Sequence, residues 1–502
     1  MIDNFILGAA VAFKPISLFF ILFGVLWGIV GGALPGITGS IAMALLLPLT
    51  FTMAPSVALM MLAGVYIGAM YGSSITAILI RTPGAPASAV TVLDGYELHK
   101  QGKSGVALGI SLYTGFIGGM FSVFVLILLA VPLANAALAF GPPEYFGMTI
   151  FGLAIISSLA GKSMVKGLIS GILGLILGTI GMDPFSGVPR FTYGSEELLG
   201  GIDLVAAMIG LFAVSEVFIQ AAEIGSWEKI SEKFSSKLPS WAELKSTTRS
   251  TTLGTIIGTI VGIMPGAGGT IAAFIAYNEG RRWSRHPERF GKGSLEGVAA
   301  PESANNAVTG GAMVPLLAFG IPGSNAAAIM LGALMLQGLR PGPMLFQNNP
   351  DIVYSLFVGM IVGNFFMLAT GYIFIKPCIW IVNISKPVLM ASIMALVTVG
   401  TYAINNNIND VWVALITGVV GYLMRKYDFS PSAMVLALVL GFMVETSLRR
   451  SLVLSYGSFS CFYTRPIALI LIIMAILTLI FPIVRSIRDA RKGNKLTPTQ
   501  AA

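Results

Sequence analysis

Charge is what this 502-residue chain has least of: Asp, Glu, Lys and Arg together make up 10% of it, against about 25% in an ordinary soluble domain. Histidine is almost missing. With only His99 and His286, a histidine-based metal site is not expected. The two cysteines, Cys378 and Cys461, lie in or near apolar segments and read as small buried hydrophobes. They exclude a disulfide framework and a cysteine metal cluster. No Walker A loop is present, so nucleotide hydrolysis is not expected to drive the protein. No nucleophile–base pair, metal-ligand spacing or pair of acids at one depth suggests an enzyme.

Apolar residues fill the space that charge leaves. They make up 55% of the chain, and many runs reach the roughly 18 residues that a helix needs to cross a bilayer. The runs are continuous rather than alternating, which excludes a β-barrel. The expected fold is an all-α polytopic membrane protein with about 12 transmembrane elements. The net charge of +8 is no nucleic-acid signal, because the basic residues sit in short inter-helix stretches such as Arg281-Arg282, Arg425-Lys426 and Arg449-Arg450. They also crowd the tail, where Arg485, Arg488, Arg491, Lys492 and Lys495 face one acid, Asp489. The positive-inside rule puts that tail in the cytoplasm. The first apolar run meets Lys14-Pro15 and continues, so no cleavable signal peptide is expected.

Glycine and proline carry the pattern. In residues 24–45, Gly24, Gly28, Gly32 and Gly36 fall every fourth position and Pro35-Gly36 interrupts the run. Residues 254–275 repeat this with Gly254, Gly258, Gly262 and Gly266, broken at Pro265-Gly266, and eight of the 22 aligned positions are identical. Glycine at that spacing clears one helix face for a close backbone neighbour. Pro-Gly stops the helix inside the segment. Each copy is followed by a second Pro-Gly, at Pro83-Gly84 and at Pro322-Gly323. The chain therefore divides into a first repeat half (1–225), an interfacial linker (226–250), a second half (251–484) and a basic tail (485–502). Inverted repeats are the expected arrangement, although parallel repeats give the same sequence signal.

Paired interrupted segments in two halves point to a transport site. A half-helix N-terminus offers unpaired N–H groups to a carboxylate, while carbonyl and hydroxyl oxygens suit a small cation. The expected substrate-binding residues in the first half are Gly36, Thr38, Gly39, Ser40, Ser73, Ser74, Arg81, Thr82, Pro83 and Gly84. In the second half they are Gly266, Gly268, Gly269, Thr270, Asn305, Asn306, Pro322, Gly323, Ser324 and Asn325. A Na⁺ ion is expected near Thr76, Thr309 and Glu302. Glu302 either serves the cation or a proton, or caps a helix beginning at Asn305. Glu216 and Glu445 are expected to pair at an interface. Arg81 either faces an anion or marks the water boundary. Asp94, Glu97, His99, Lys100 and Lys103 are read as the exit to water.

Four stretches carry a resemblance: the glycine-spaced segment ending at Pro35-Gly36, YIGAMYGSS…TPGAPAS…DGY (66–96), GIMPGAGGT, and HPERFGKGSLEGVAAPESANNAVTGGAMVPLLAFGIPG (286–323). Together they resemble the large membrane subunit of the tripartite tricarboxylate transporter family, over nearly the whole chain. The resemblance implies a carrier for carboxylic acids in the bacterial cytoplasmic (inner) membrane. It implies two partners, a small membrane subunit of four helices and a periplasmic solute-binding protein. It further implies uptake driven by an ion gradient, with Na⁺ or H⁺ as coupling ion and no other cofactor. A neutral residue is implied at the place of Arg81, so a cation there bears on substrate preference. The scarcity of embedded acids tilts the coupling ion toward Na⁺. The competing expectation is a passive anion channel, because broken helices line pores too.

Overall fold

The two helices that carry glycine at every fourth position end at Gly32 and Ile263, beside the Pro-Gly pairs. The computed structural model describes residues 2–34, 36–159, 164–222, 237–375, 377 and 386–493. Pro35, Cys378, Trp227, Lys495 and residues 226–236 of the expected linker lie outside them. Helices α1 (Ile2–Ala12), α2 (Pro15–Gly32), α3 (Gly39–Thr50) and α4 (Pro55–Ile80) open the chain. After a 3₁₀ turn at Pro86–Ala89 come α5 (Thr91–Lys100), α6 (Ser104–Ala137), α7 (Pro142–Leu159) and α8 (Met164–Gly178). Helices α9 (Leu204–Ile209) and α10 (Ser215–Ala222) are joined by a π-helical turn at Gly210–Val214. Then follow α11 (Trp241–Ser246), α12 (Thr248–Ile263), α13 (Gly268–Trp283), α14 (Leu295–Phe319), α15 (Asn325–Leu336), α16 (Pro343–Asn348) and α17 (Pro350–Phe374). Helices Lys386–Asn405, Ile408–Lys426, Pro431–Leu454 and Pro466–Gly493 complete the chain.

Among the described residues, seven helices are long and apolar enough to cross a membrane. Others, including α3 and α15, are apolar but only 12 residues long. A 12-residue helix rises about 18 Å, short of the roughly 30 Å hydrocarbon core. The protein is thus an all-α, multi-pass membrane protein.

The chain forms two compact units. One comprises Met1–Leu138 and Ile202–Leu423, the other Ala139–Gly201 and Met424–Ala502. In the second unit a small antiparallel pair, β1 (Gly181–Met182) with β2 (Pro189–Arg190), caps the polar stretch after α8. Arg190 and Arg449 both pair with Glu445, at 2.7 and 2.8 Å. Asp183 sits in the same network. The Phe185 backbone N–H and the Arg449 guanidinium hold its carboxyl down at about 2.

In the first unit, glycine sets helix spacing. A Cβ on Gly24, Gly28 or Gly32 of α2 would overlap or crowd the backbone of α4 at Met61, Val65 and Ala69. Gly254, Gly258 and Gly262 of α12 meet the backbone of α14 in the same way, near Ala300, Ala304 and Val308. The same packing therefore recurs at the matched glycines of both halves. Helix α1 packs on α17, and Ala12, Ile21, Met60, Val358 and Val362 form one apolar cluster. The expected exit to water is corrected in part. Asp94 and His99 are buried, because the stretch after the first Pro-Gly folds into α5 and is covered by the loop before α14. That loop also meets Val90 through Phe290, beside Ala273 and Tyr277 of α13.

Candidate functional site

Each first break rests on a left-handed glycine, Gly36 (φ +85°) and Gly266 (φ +72°). In the first half, Thr38 accepts from the Ile41 N–H and caps α3, so Gly39 and Ser40 are its first residues. In the second half, α13 starts at Gly268 and Ala267 provides no side-chain cap. The N–H groups of Gly268, Gly269 and Thr270 thus open the one uncapped half-helix of the two.

The second breaks are also matched. Helix α4 ends on Arg81 and α14 on Gly320, both left-handed, immediately before Thr82-Pro83-Gly84 and Ile321-Pro322-Gly323. A Cβ on Gly84 would overlap the carbonyl oxygen of Gly32, and one on Gly323 that of Gly262. Each second Pro-Gly therefore lies on the end of the glycine helix from its own half. The chain beyond it then crosses to the other half. Residues 86–89 pack on α13, and α15 packs on α3.

The crossing brings Gly269, Asn305 and Ala87 together. A Cβ on Gly269 would meet the Asn305 side-chain oxygen and stand 3.4 Å from the Ala87 methyl. Asn305 is 1% exposed, and among the described residues neither its carboxamide nitrogen nor its oxygen has a partner. Leaving such groups unpaired costs about 1–3 kcal/mol each. Next to Ala87, the buried Ser88 hydroxyl meets that of Ser73 at 2.6 Å, and the Ser73 carbonyl accepts from the Gly84 N–H at 3.2 Å. An uncapped helix start, a free buried carboxamide and small residues that admit a ligand to the main chain make a place fitted to a carboxylate.

The other expected residues sort by distance from this place. Asn306 turns to α6, donating to the Glu302 carbonyl at 3.0 Å while its oxygen lies unpaired. Ser324 caps α15 and meets the Tyr66 hydroxyl at 2.8 Å. Asn325 is exposed, and so are Arg81 and Thr82. The Arg81 guanidinium lies 5.9 Å from the Tyr96 ring centroid, on the surface rather than among the buried groups. Gly36 abuts the side chains of Glu216 and Gln220, which bond each other at 3.1 Å. Pro322 and Gly323 are buried at the second break.

Glu302 is not a helix cap. Helix α14 begins at Leu295, where Ser294 provides the cap, so Glu302, Asn305 and Asn306 all lie inside it. The hydroxyls of Thr76 and Thr309 bond their own helix backbone. The side chains that reach Glu302 are Ser74, Thr91 and Ser111. Thr91 and Ser111 escape a reading of the sequence, because single hydroxyls in apolar helices carry no period. Among the described residues no group of three or more His, Cys, Asp or Glu side chains is placed to hold a metal ion.

A family model described as "Tripartite tricarboxylate transporter TctA family" matches residues 18–436. Over 491 residues, 98% of each chain, the sequence is 37% identical to the "Uncharacterized 52.8 kDa protein in TAR-I ttuC' 3'region" of Agrobacterium vitis. The "Uncharacterized protein in TAR-II ttuC' 3'region" of the same organism is 34% identical over 229 residues, 46% of this chain and 95% of the relative. With its apolar spans, matched breaks and whole-length similarity, this chain belongs to the tripartite tricarboxylate transporter TctA family, whose members are transport subunits and not enzymes.

Proposed function

We infer that this chain imports a di- or tricarboxylate across the bacterial cytoplasmic membrane together with a cation, Na⁺ rather than H⁺. It takes the acid from a periplasmic binding protein and works beside a small four-helix membrane subunit, with its C-terminus in the cytoplasm. The observation that carries the substrate site is Asn305, buried and unpaired beside the uncapped start of α13. One carboxylate of the substrate accepts from the first N–H groups of α13 and from the Asn305 amide. The positive end of the α13 dipole adds about 0.3–1 kcal/mol or somewhat more to such an anion. The glycines at 266, 268 and 269 bring the ligand onto the main chain, and Ser73 and Ser88 border the same place.

Purified protein in proteoliposomes, with its partner subunits and an inward Na⁺ gradient at equal pH, tests this. Wild type is expected to concentrate the carboxylate above its electrochemical equilibrium. Asn305→Leu, which keeps the volume and removes both polar groups, is expected to lower uptake about tenfold or more, since ~1.4 kcal/mol of lost binding is a factor of ten. Equilibration without accumulation would favour the anion channel, and unchanged uptake in Asn305→Leu would remove the site from α13.

The two halves are read as a duplication, which the matched glycine packing, the matched second breaks and the crosswise exchange of the chain after them support; inverted orientation is the arrangement put to the test. Pro86 and Asn325 hold equivalent, exposed places three residues after Pro83 and Pro322. In a background without Cys378 and Cys461, single cysteines at 86 and 325 are expected to react with a membrane-impermeant thiol reagent from opposite sides. Labelling of both from one side would establish parallel repeats instead.

A further inference from the structure

Glu302 stands apart from the carboxylate site and has its own shell. It lies inside α14, 1% exposed. Ser74 of α4 and Ser111 of α6 donate to Oε2, the latter at 3.0 Å, and Thr91 of α5 donates to Oε1. Three helices of the first half thus converge through neutral hydroxyls on one acid of the second. Among the described residues, no Lys, Arg or His forms an ion pair with it. A lone negative charge taken out of water, with only hydroxyls around it, leaves a large desolvation cost uncompensated. A positive charge relieves that cost, either a proton on the carboxyl itself or a cation beside it.

We propose that Glu302, Ser74, Thr91 and Ser111 form the seat of the co-transported Na⁺. The donor set fits a hard monovalent cation: all ligands are oxygens, and a single carboxylate balances a single charge. Divalent ions at protein sites gather more carboxylates or keep several waters. Hydroxyls that now donate to the carboxylate still hold lone pairs, and each turns one toward the cation when its hydrogen finds another acceptor. For Ser74 that acceptor is the Met70 carbonyl, 3.5 Å away. Among the described residues, no second titratable side chain bonds the cluster to pass a proton. Asp94, one turn along α5 from Thr91, is committed to the N–H groups of Gly291, Gly293 and Ser294 and to the Tyr277 hydroxyl.

The seat adjoins the substrate place on two sides. Ser74 follows Ser73, which holds Ser88 and Gly84, and Asn305 lies one turn beyond Glu302 on α14. A cation there attracts the carboxylate and ties α14 to α4, α5 and α6, which rests on the transport reading above. The seat itself is tested without transport, by ²²Na⁺ binding to the purified protein in detergent with choline as the balancing cation.

Wild type is expected to show saturable binding that unlabelled Na⁺ displaces. Glu302→Gln is expected to abolish it, and Ser111→Ala and Thr91→Val each to weaken it severalfold. Size-exclusion profiles matching wild type confirm the fold, and the two hydroxyl variants carry the test should Glu302→Gln not fold. No saturable binding in wild type, or wild-type affinity in folded Glu302→Gln, overturns the proposal. If carboxylate is still concentrated in proteoliposomes when ²²Na⁺ does not bind, the seat falls and the transport reading stands. Saturable, Glu302-dependent binding without carboxylate accumulation supports the seat and removes the transport reading.

Discussion

Gly258→Val is expected to eliminate folded protein from the membrane. A Cβ at residue 258 would overlap the Ala304 carbonyl oxygen and stand 2.6 Å from the Ala304 Cα and 2.7 Å from its carbonyl carbon. All three are backbone atoms, so no rotamer change relieves the contact; α12 and α14 must separate along their length. Ordinary overpacking of a core costs about 1–3 kcal/mol, and this contact has no soft partner to absorb it. Detergent extracts run on a size-exclusion column should show the monodisperse peak lost. Ile256, 44% exposed on the same helix, is the control: Ile256→Val should keep the peak. A Gly258→Val protein of wild-type melting temperature would show that the two helices do not pack backbone to backbone.

Asp94→Ala is expected to be nearly as damaging, by a different route. The Asp94 carboxylate is fully buried, and its Oδ1 accepts from Gly291 at 2.9 Å, Gly293 at 2.9 Å and Ser294 at 2.7 Å. Its Oδ2 accepts from the Tyr277 hydroxyl at 2.9 Å. Alanine leaves three main-chain N–H groups without an acceptor, at about 1–3 kcal/mol apiece, so the loss should be about 3–9 kcal/mol. An asparagine side chain keeps an amide oxygen in the same place and presents its NH₂ group to Tyr277, whose hydroxyl can accept. The Asp94→Asn protein should therefore recover most of the stability. Thermal unfolding reads the size of the effect. Limited trypsin digestion reads its location: cleavage after Arg289 and Lys292 should speed up in Asp94→Ala and much less in Asp94→Asn. Equal protease resistance in all three proteins would mean that the carboxylate does not hold the loop.

The breaks are legible in the sequence, and most of their partners are hidden. Glycine at every fourth place and Pro-Gly are local signals: both act on the backbone of the residue that bears them. The ends of α2, α4, α12 and α14 accordingly fall at the expected places. Asn305 and Glu302 stand out on their polarity alone. Their surroundings do not show, because Ala87, Thr91 and Ser111 reach them from far along the chain and look like ordinary small residues. Asp94 misleads for the same reason. In the run DGYELHK it reads as a step into water, and only the fold shows the loop that encloses it. The expected site set is also too wide. Arg81, Thr82 and Asn325 flank Pro-Gly breaks but end exposed, since sequence proximity to a break says nothing about which way a side chain leaves it.

The crosswise exchange between halves has a consequence for biosynthesis. When α4, α5 and α6 have left the ribosome, Ser74, Thr91 and Ser111 have nothing to donate to across helices, because Glu302 is not yet made. Helix α3 likewise waits for α15, and the 3₁₀ turn at Pro86–Ala89 for α13. Glu302 comes 191 residues after Ser111. Until it arrives, the early half is an unfinished bundle.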